Sequence, residues 1–159
     1  VKVGRDTVRI FNLHLQSTGI TSDDRTDTLS PQIMDDTMAY TKLSKVAAKM
    51  LDNYRARAAQ AKGVAEEIAL SPYPVVVCGD FNDTPVSYTY HTILAEGLKD
   101  SFVERGRGTE YTFKGLYNLF RIDYILSHEE HFDIKEYQSF DLDYSDHKPI
   151  VVRLGMIEK

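Results

Sequence analysis

Residues 75–85, Val-Val-Val-Cys-Gly-Asp-Phe-Asn-Asp-Thr-Pro, carry an apolar run directly into a turn. A continuous run of this kind predicts a buried strand, of the type found in a parallel sheet or in the core of a sandwich. Gly79 permits a tight exit from that strand and a close approach to a ligand. Asp80 and Asn82 lie two residues apart, so in an extended segment both side chains point the same way. A plain Asx-rich turn is the alternative interpretation.

The segments around this stretch predict a mixed α/β domain. Residues 7–15 alternate as a strand with apolar residues on both faces, so we expect cover on both sides of it. Residues 37–70 repeat apolar residues at helical spacing, with room for a break near Asp52, and Ser71-Pro-Tyr-Pro ends the helix. The later predicted elements are a short helix over 86–97 and strands over 111–113, 121–126, 132–140 and 149–154.

The composition limits what this domain can be. A chain of 159 residues can bury a core of its own, and we expect a single domain over residues 1–159. With 19 basic and 24 acidic side chains, the formal net charge is −5, which argues against a general cationic binder of nucleic acid. One cysteine, Cys78, excludes an internal disulfide framework and a multi-cysteine zinc site. No run approaches the roughly 20 apolar residues of a membrane span.

Two further polar clusters interrupt the later strands. Ser145-Asp146-His147 leads into the last strand, where a carboxylate and an imidazole can supply a metal ligand and a proton carrier; a solvated loop is the alternative. Asp123 lies inside a predicted strand, and burying a carboxylate is costly unless it is paired. Its partner is either Arg121, in a structural ion pair, or His147, whose imidazole it would orient and stabilise as a cation.

The remaining histidines divide into one candidate and three structural residues. His14 lies at the C-terminal end of the first predicted strand, and Asn12 lies beside it on the same face. A lone strand histidine is more often structural, but the neighbouring Asn12 favours a polar pocket there. We interpret His91, His128 and His131 as structural.

Four motifs occur in an order that resembles the endonuclease/exonuclease/phosphatase family, whose fold is deoxyribonuclease-I-like. They are Asn-x-His-Leu at 12–15, Gly-Asp-Phe-Asn at 79–82, Arg-Ile-Asp-Tyr at 121–124 and Ser-Asp-His at 145–147. Each motif alone is a modest signal, whereas four in this order over nearly the whole chain are a strong one. The resemblance implies an α/β (α+β) chain that forms part of a four-layer α/β/β/α sandwich.

The resemblance also implies divalent-metal-dependent hydrolysis of phosphate esters by in-line attack of water. In that mechanism Asp80 would activate or orient the water, and Asn82 would hold Asp80 and a phosphate oxygen in place. Asp146, with Asp80 and Asn82, would bind the metal, which we expect to be Mg²⁺, with Mn²⁺ or Ca²⁺ as alternatives.

Two histidines would contact the scissile phosphate according to the same resemblance. These are His14 and His147, the second oriented by Asp123. Donation from such groups stabilises the charge that develops on the phosphoryl oxygens. The candidate substrate-binding residues are Asn12, Arg121 and Phe113.

The motifs do not specify the substrate class. Family members that act on nucleic acids, nucleotides or phospholipid headgroups differ in their loops. The candidate specificity segments are the acidic loop 17–36 and residues 102–118, where basic residues alternate with aromatic ones such as Phe113 and Tyr117. Such alternation suits a substrate with phosphate and ring, and a solvated hairpin is the alternative. The localisation is left open between the cytoplasm and a membrane tether in a preceding segment.

The resemblance has a gap at its N-terminal side. Family members carry an asparagine near the first strand and a glutamate that is the principal metal ligand, but Asp6 is the single acid in residues 1–11. The chain therefore resembles the C-terminal half or more of such a domain. We expect a half-domain to self-associate through an unpaired sheet or to keep an incomplete site. A catalytically incomplete binding or assembly module is the alternative to an enzyme.

Overall fold

A computed structural model describes residues 1–19, 36–115 and 119–158 and contains one four-stranded mixed sheet and two smaller antiparallel pairs. The strands are β1 (Lys2–Val3), β2 (Asp6–Thr7), β3 (Arg9–His14), β4 (Val75–Asp80), β5 (Leu98–Asp100), β6 (Asp123–His128), β7 (Phe132–Ser139) and β8 (Ile150–Met156). The helices are α1 (Asp36–Ala69), α2 (Tyr88–Leu94) and α3 (Ser101–Arg105). The predicted α/β class is confirmed.

The four-stranded sheet, in the order β3-β4-β6-β5, determines where the strand ends meet. Strand β3 runs parallel to β4, with His14 opposite Asp80. Strand β6 runs antiparallel to β4, with Asp123 opposite Asp80. The C-terminal ends of β3 and β4 and the N-terminal end of β6 therefore share one edge of the sheet. Strands β7 and β8 form a separate antiparallel pair.

The core lies between this sheet and the helices α1 and α2. Buried side chains come from α1 (Ala61, Ile68), from α2 (Ile93) and from one face of the sheet (Val77, Leu126). Burying each of the larger side chains contributes about 1.5–3 kcal/mol relative to leaving it exposed. The helical layer thus fixes the sheet from one side.

The opposite face of β3 is open, so the expected cover on both sides of this strand is wrong. Ile10 is 49% exposed, and Asn12 and His14 on the same face are exposed as well. The helices cover one face only, and no layer covers β3 on the other within the described part of the chain. Self-association through this sheet stays a prediction.

Other boundaries also differ from the sequence predictions. Helix α1 continues through Asp52, because this exposed side chain pairs with Arg55 one turn later and does not redirect the backbone. The predicted strand over 111–113 is reduced to a bridge at Phe113, while β5 and α3 were not predicted. Most of the acidic loop 17–36, and Tyr117, lie outside the described residues. Among the described helices, none combines the length and apolarity of a membrane span.

Candidate active site

The turn after β4 holds Asp80 and Asn82 against each other. Gly79 has φ +129°, and a Cβ there would collide with the carbonyl oxygen of Leu13 in the neighbouring strand, so only glycine fits. Asn82, at φ +52°, folds back so that its N–H donates to Asp80 Oδ1 at 2.7 Å and its Nδ2 to Oδ2 at 3.1 Å. The Asn82 amide also donates to the Leu15 carbonyl at 3.0 Å. The segment is thus an Asx turn that also joins the ends of β3 and β4.

Asp123 pairs with His147, which decides between the two partners predicted for it. His147 Nδ1 lies 2.9 Å from Asp123 Oδ2, and both side chains are partly buried. The Phe113 ring lies 5.1 Å from the His147 ring, and the backbones of the two residues form a bridge. An acid in this position fixes the imidazole tautomer and stabilises its protonated form.

The environment shifts the pKa of two of these groups. Burial raises the pKa of the Asp80 carboxyl; the N–H of Asn82 opposes this, and the charge of Asp123 adds to it. Burial alone lowers the pKa of His147, but its hydrogen bond to Asp123 and the charges of Asp123, Asp80 and Asp146 outweigh burial, so the pKa is raised. The neighbouring carboxylates therefore favour the protonated form of the His147 imidazole.

This pairing is expected to make stability depend on pH. Because the pKa of His147 is raised on folding, the pair stabilises the chain fully below pH 6.5, the ordinary value, and progressively less as pH rises through the folded-state value. Urea unfolding in buffer containing EDTA measures this. The difference in free energy of unfolding between wild type and His147→Gln should shrink as pH rises. A difference that is constant or grows would contradict the assignment.

The cluster has the donor set of a divalent cation site. One ligand atom from each of Asp80, Asp123 and His147 lies within 4.8 Å of the others. The two carboxylate oxygens suit a hard cation such as Mg²⁺ or Mn²⁺. Asp146 is exposed and is not part of this group, and its backbone carbonyl accepts the N–H of Lys114. Its role as a metal ligand stays a prediction.

The first strand brings His14 to the same edge. His14 Nε2 lies 3.9 Å from Asp80 Oδ2, and the side chain is 78% exposed. Asn12 lies two residues before His14 on the same face of β3, and it is opposite Cys78 in β4. His14 is therefore placed to reach a ligand bound at Asp80, whereas Asn12 is not in the cluster.

The prediction that Arg121 pairs with Asp123 or binds substrate is corrected, because the structure does not bring its side chain to the site. Its guanidinium is 7% exposed and donates from Nη1 to Asp100 Oδ2 at 2.7 Å. Alternation along the strand predicted over 121–126 would place Arg121 on the face of Asp123. Strand β6 begins at Asp123, however, so alternation does not extend back to residue 121. Arg121 neither pairs with Asp123 nor can contact substrate, because it is buried in another ion pair.

Sequence reasoning missed two residues that support the site. Arg57, 1% exposed in α1, donates to the Gln16 carbonyl at 2.8 Å and to Asp83 Oδ2 at 3.2 Å, so it ties the helix to the segments after β3 and β4. A basic residue within the apolar stripe of a helix was a usable signal for Arg57. Thr112 is fully buried beside the Asp123–His147 pair, and nothing in the sequence around it distinguished it.

The comparisons with known proteins show the family and the fold of this chain. The profile of the endonuclease/exonuclease/phosphatase family matches residues 6–147. A solved endonuclease/exonuclease/phosphatase from Bacteroides vulgatus is 28% identical with a TM-score of 0.56, over 65% of this chain and 45% of that one. No curated protein matches the chain significantly in sequence.

Two further solved structures share the fold. A mannosyl-6-phosphatase from Bacteroides thetaiotaomicron is 24% identical with a TM-score of 0.52, over 64% of this chain and 46% of that one. The human Nocturnin catalytic domain with bound sulfate is 21% identical with a TM-score of 0.52, over 65% and 42%. This chain spans less than half the length of each of these structures.

Proposed function

Because the chain belongs to the endonuclease/exonuclease/phosphatase family, we propose that its residues carry out metal-dependent hydrolysis of a phosphate ester. The observation that carries this proposal is the convergence of Asp80, Asn82, Asp123 and His147 at one edge of the sheet. These groups come from three distant parts of the sequence. A purely structural role would not explain why they meet at an open edge.

The geometry supports a division of roles among these side chains. Asp80, held by the two nitrogens of Asn82, orients and deprotonates the attacking water. His147, held at Nδ1 by Asp123, presents Nε2 to a phosphoryl oxygen and stabilises the charge that develops there. His14 reaches the same ligand from the end of β3. Phe113 packs on the His147 ring and limits its rotation.

A divalent cation fits the same cluster. We propose Mg²⁺, with Mn²⁺ or Ca²⁺ as alternatives, held by the Asp80 carboxylate, with Asn82 and Asp146 as further candidates. His147 is bonded at Nδ1 to Asp123 and is assigned to the phosphoryl oxygen, not to the ion. When bound, the ion would neutralise negative charge on the phosphoryl group. The mutual approach of Asp80 and Asp123 also favours a cation, because two neighbouring carboxylates repel each other.

The substrate is proposed as a phosphate ester of the nucleotide, nucleic acid or phospholipid-headgroup class. Two of the three named solved structures, the mannosyl-6-phosphatase and the Nocturnin catalytic domain, share the fold with this chain. The net charge of −5 argues against a long polyanion held over the whole surface.

The test is hydrolysis of bis(p-nitrophenyl) phosphate, a diester, and p-nitrophenyl phosphate, a monoester, by this chain. We expect release of p-nitrophenol with Mg²⁺, loss of release in EDTA, and recovery when Mg²⁺ or Mn²⁺ is restored. The preferred ester separates a diesterase from a monoesterase. Release that is unaffected by EDTA, or that persists in His147→Gln, would overturn the proposed mechanism.

The second candidate is a catalytically incomplete binding or assembly module. The open face of β3, with Ile10 exposed, favours it, because a sandwich needs a second layer there. This candidate predicts no hydrolysis, while Mn²⁺ still broadens the NMR signals of Asp80 and His147. Absence of both hydrolysis and broadening would exclude a cation site at this edge.

A further inference from the structure

Thr112 is a buried residue that is hydrogen-bonded to both segments that carry the Asp123–His147 pair. The residue is 0% exposed, and its Oγ1 accepts the backbone N–H groups of Ile122 and Asp123, each at 3.0 Å. Its carbonyl oxygen accepts the N–H of Lys148 at 2.7 Å. Thr112 therefore contacts the backbone of Asp123 through its hydroxyl. It contacts the backbone of Lys148, which follows His147, through its carbonyl oxygen.

The hydroxyl takes the place of a missing strand at this point of the sheet. Strand β5 is short and pairs with β6 only from Leu126 to His128. On that side, no strand of the described residues pairs with Ile122 or Asp123, and a buried N–H without an acceptor is costly. The Thr112 hydroxyl accepts both, so it fixes the backbone where β6 begins.

The segment that follows Thr112 is tied to the segment that carries His147. Lys114 donates its N–H to the Asp146 carbonyl, and Lys148 donates to the Thr112 carbonyl. Phe113, between these two bonds, contacts the His147 ring. Hydrogen bonds on both sides of His147 thus leave its backbone little freedom relative to Thr112.

We propose that Thr112 is a positioning residue that sets the 2.9 Å hydrogen bond between Asp123 and His147. It touches neither a substrate nor a reacting atom, and it acts through these two side chains. Its importance for hydrolysis rests on the proposed function, but the positioning itself is a physical property of the folded chain.

The experiment compares Thr112→Val with Thr112→Ser by proton NMR at one fixed pH. Valine keeps the branched shape and loses the acceptor, whereas serine keeps the acceptor and loses the methyl group. The readout is the downfield imidazole N–H resonance of His147, identified by its loss in Asp123→Asn. We expect this resonance to be lost through fast exchange in Thr112→Val and to be retained in Thr112→Ser.

A matched control separates positioning from general loss of stability. Thr89 is also buried, and its hydroxyl donates to Asp83 Oδ2 at 2.9 Å, on the other side of the turn. Thr89→Val and Thr112→Val should both lower Tm, whereas only Thr112→Val should lose the His147 resonance. A resonance that survives in Thr112→Val, or that is lost equally in Thr112→Ser, would overturn the proposal.

A measurement on the wild-type chain covers the case in which Thr112→Val does not fold. Hydrogen exchange at the Asp123 amide should be as slow as at the amides in the middle of β6, because Thr112 Oγ1 protects it. Rapid exchange there would also overturn the proposal. None of these readouts needs turnover, so failure of the hydrolysis assay and failure of this inference are distinguishable.

Discussion

Replacing Asp80 by asparagine is expected to lower kcat/KM for phosphate-ester hydrolysis by roughly 10²- to 10⁴-fold, the usual contribution of a positioned general base. Asparagine has nearly the same shape, and its Oδ1 can still accept the N–H of Asn82, which donates to Asp80 at 2.7 Å. The turn that carries the site therefore stays folded. What is lost is a negative charge and the ability to accept a proton.

The same substitution should leave stability nearly unchanged. Burial raises the pKa of Asp80, which means that folding disfavours its ionised form at neutral pH. A neutral amide removes that cost, which offsets the acceptor that the Asn82 Nδ2 loses. We expect a free energy of unfolding within about 1 kcal/mol of wild type. A charge that is needed for activity but not for stability marks a functional site.

The measurement is kcat/KM with Mg²⁺, made alongside urea unfolding of the same preparations. Asp133→Asn is the matched control, because that carboxylate lies on β7, is solvent-accessible and pairs with Lys135. The control should keep the activity of wild type. Unchanged kcat/KM in Asp80→Asn would exclude Asp80 as the base, and a loss of activity equal to the loss of folded protein would assign it a structural role.

Part of the cluster could be predicted because its members stand at strand ends. Parallel strands β3 and β4 end at one edge, which brings His14 to Asp80. The antiparallel strand β6 starts at that edge with Asp123. The strand pattern placed His14 and Asp80 at strand ends, but it placed Asp123 inside a strand. The expectation that Asp123 and His147 join them in one site came from the resemblance to the family.

The prediction was wrong where it extended strand geometry beyond the strand. Arg121 lies two residues before β6 begins, so its side chain points to Asp100 and not to the face of Asp123. The first strand was expected to be covered on both sides because its two faces are both apolar. Ile10 is nevertheless exposed. An apolar residue in a strand indicates a preference for burial, but it does not show that another element packs over it.

The supporting residues are the part that sequence reasoning could least provide. Thr112 and Arg57 act through partners far away in the chain, such as Asp123 and Gln16. A threonine between two aromatic residues has no periodicity that identifies its acceptor role. These contacts form only when segments distant in the sequence come together in the folded chain. The tertiary structure is therefore needed to find them.

Replacing Arg121 by methionine is expected to lower the free energy of unfolding by about 3–5 kcal/mol, the usual cost of breaking a buried ion pair. The buried Asp100 would lose the guanidinium at 2.7 Å and keep only the Tyr90 hydroxyl and the Phe102 N–H. Arg121 also lies over the rings of Phe102 and Tyr124, at 4.9 and 4.7 Å. Methionine can retain much of that packing, so the loss measures the unpaired charge.

A double-mutant cycle tests whether the charge is the cause. Asp100→Asn removes the carboxylate charge, while its Oδ1 can still accept the Phe102 N–H and its Nδ2 can donate to the Tyr90 hydroxyl oxygen. In the Arg121→Met background it should therefore restore part of the lost stability. Urea unfolding of the four proteins gives the coupling. A cost within ±0.5 kcal/mol for Arg121→Met, typical of a surface substitution, would contradict burial of the pair. Since the Arg121 carbonyl accepts the Tyr124 hydroxyl, a strong pair also fixes the backbone that enters β6 at Asp123.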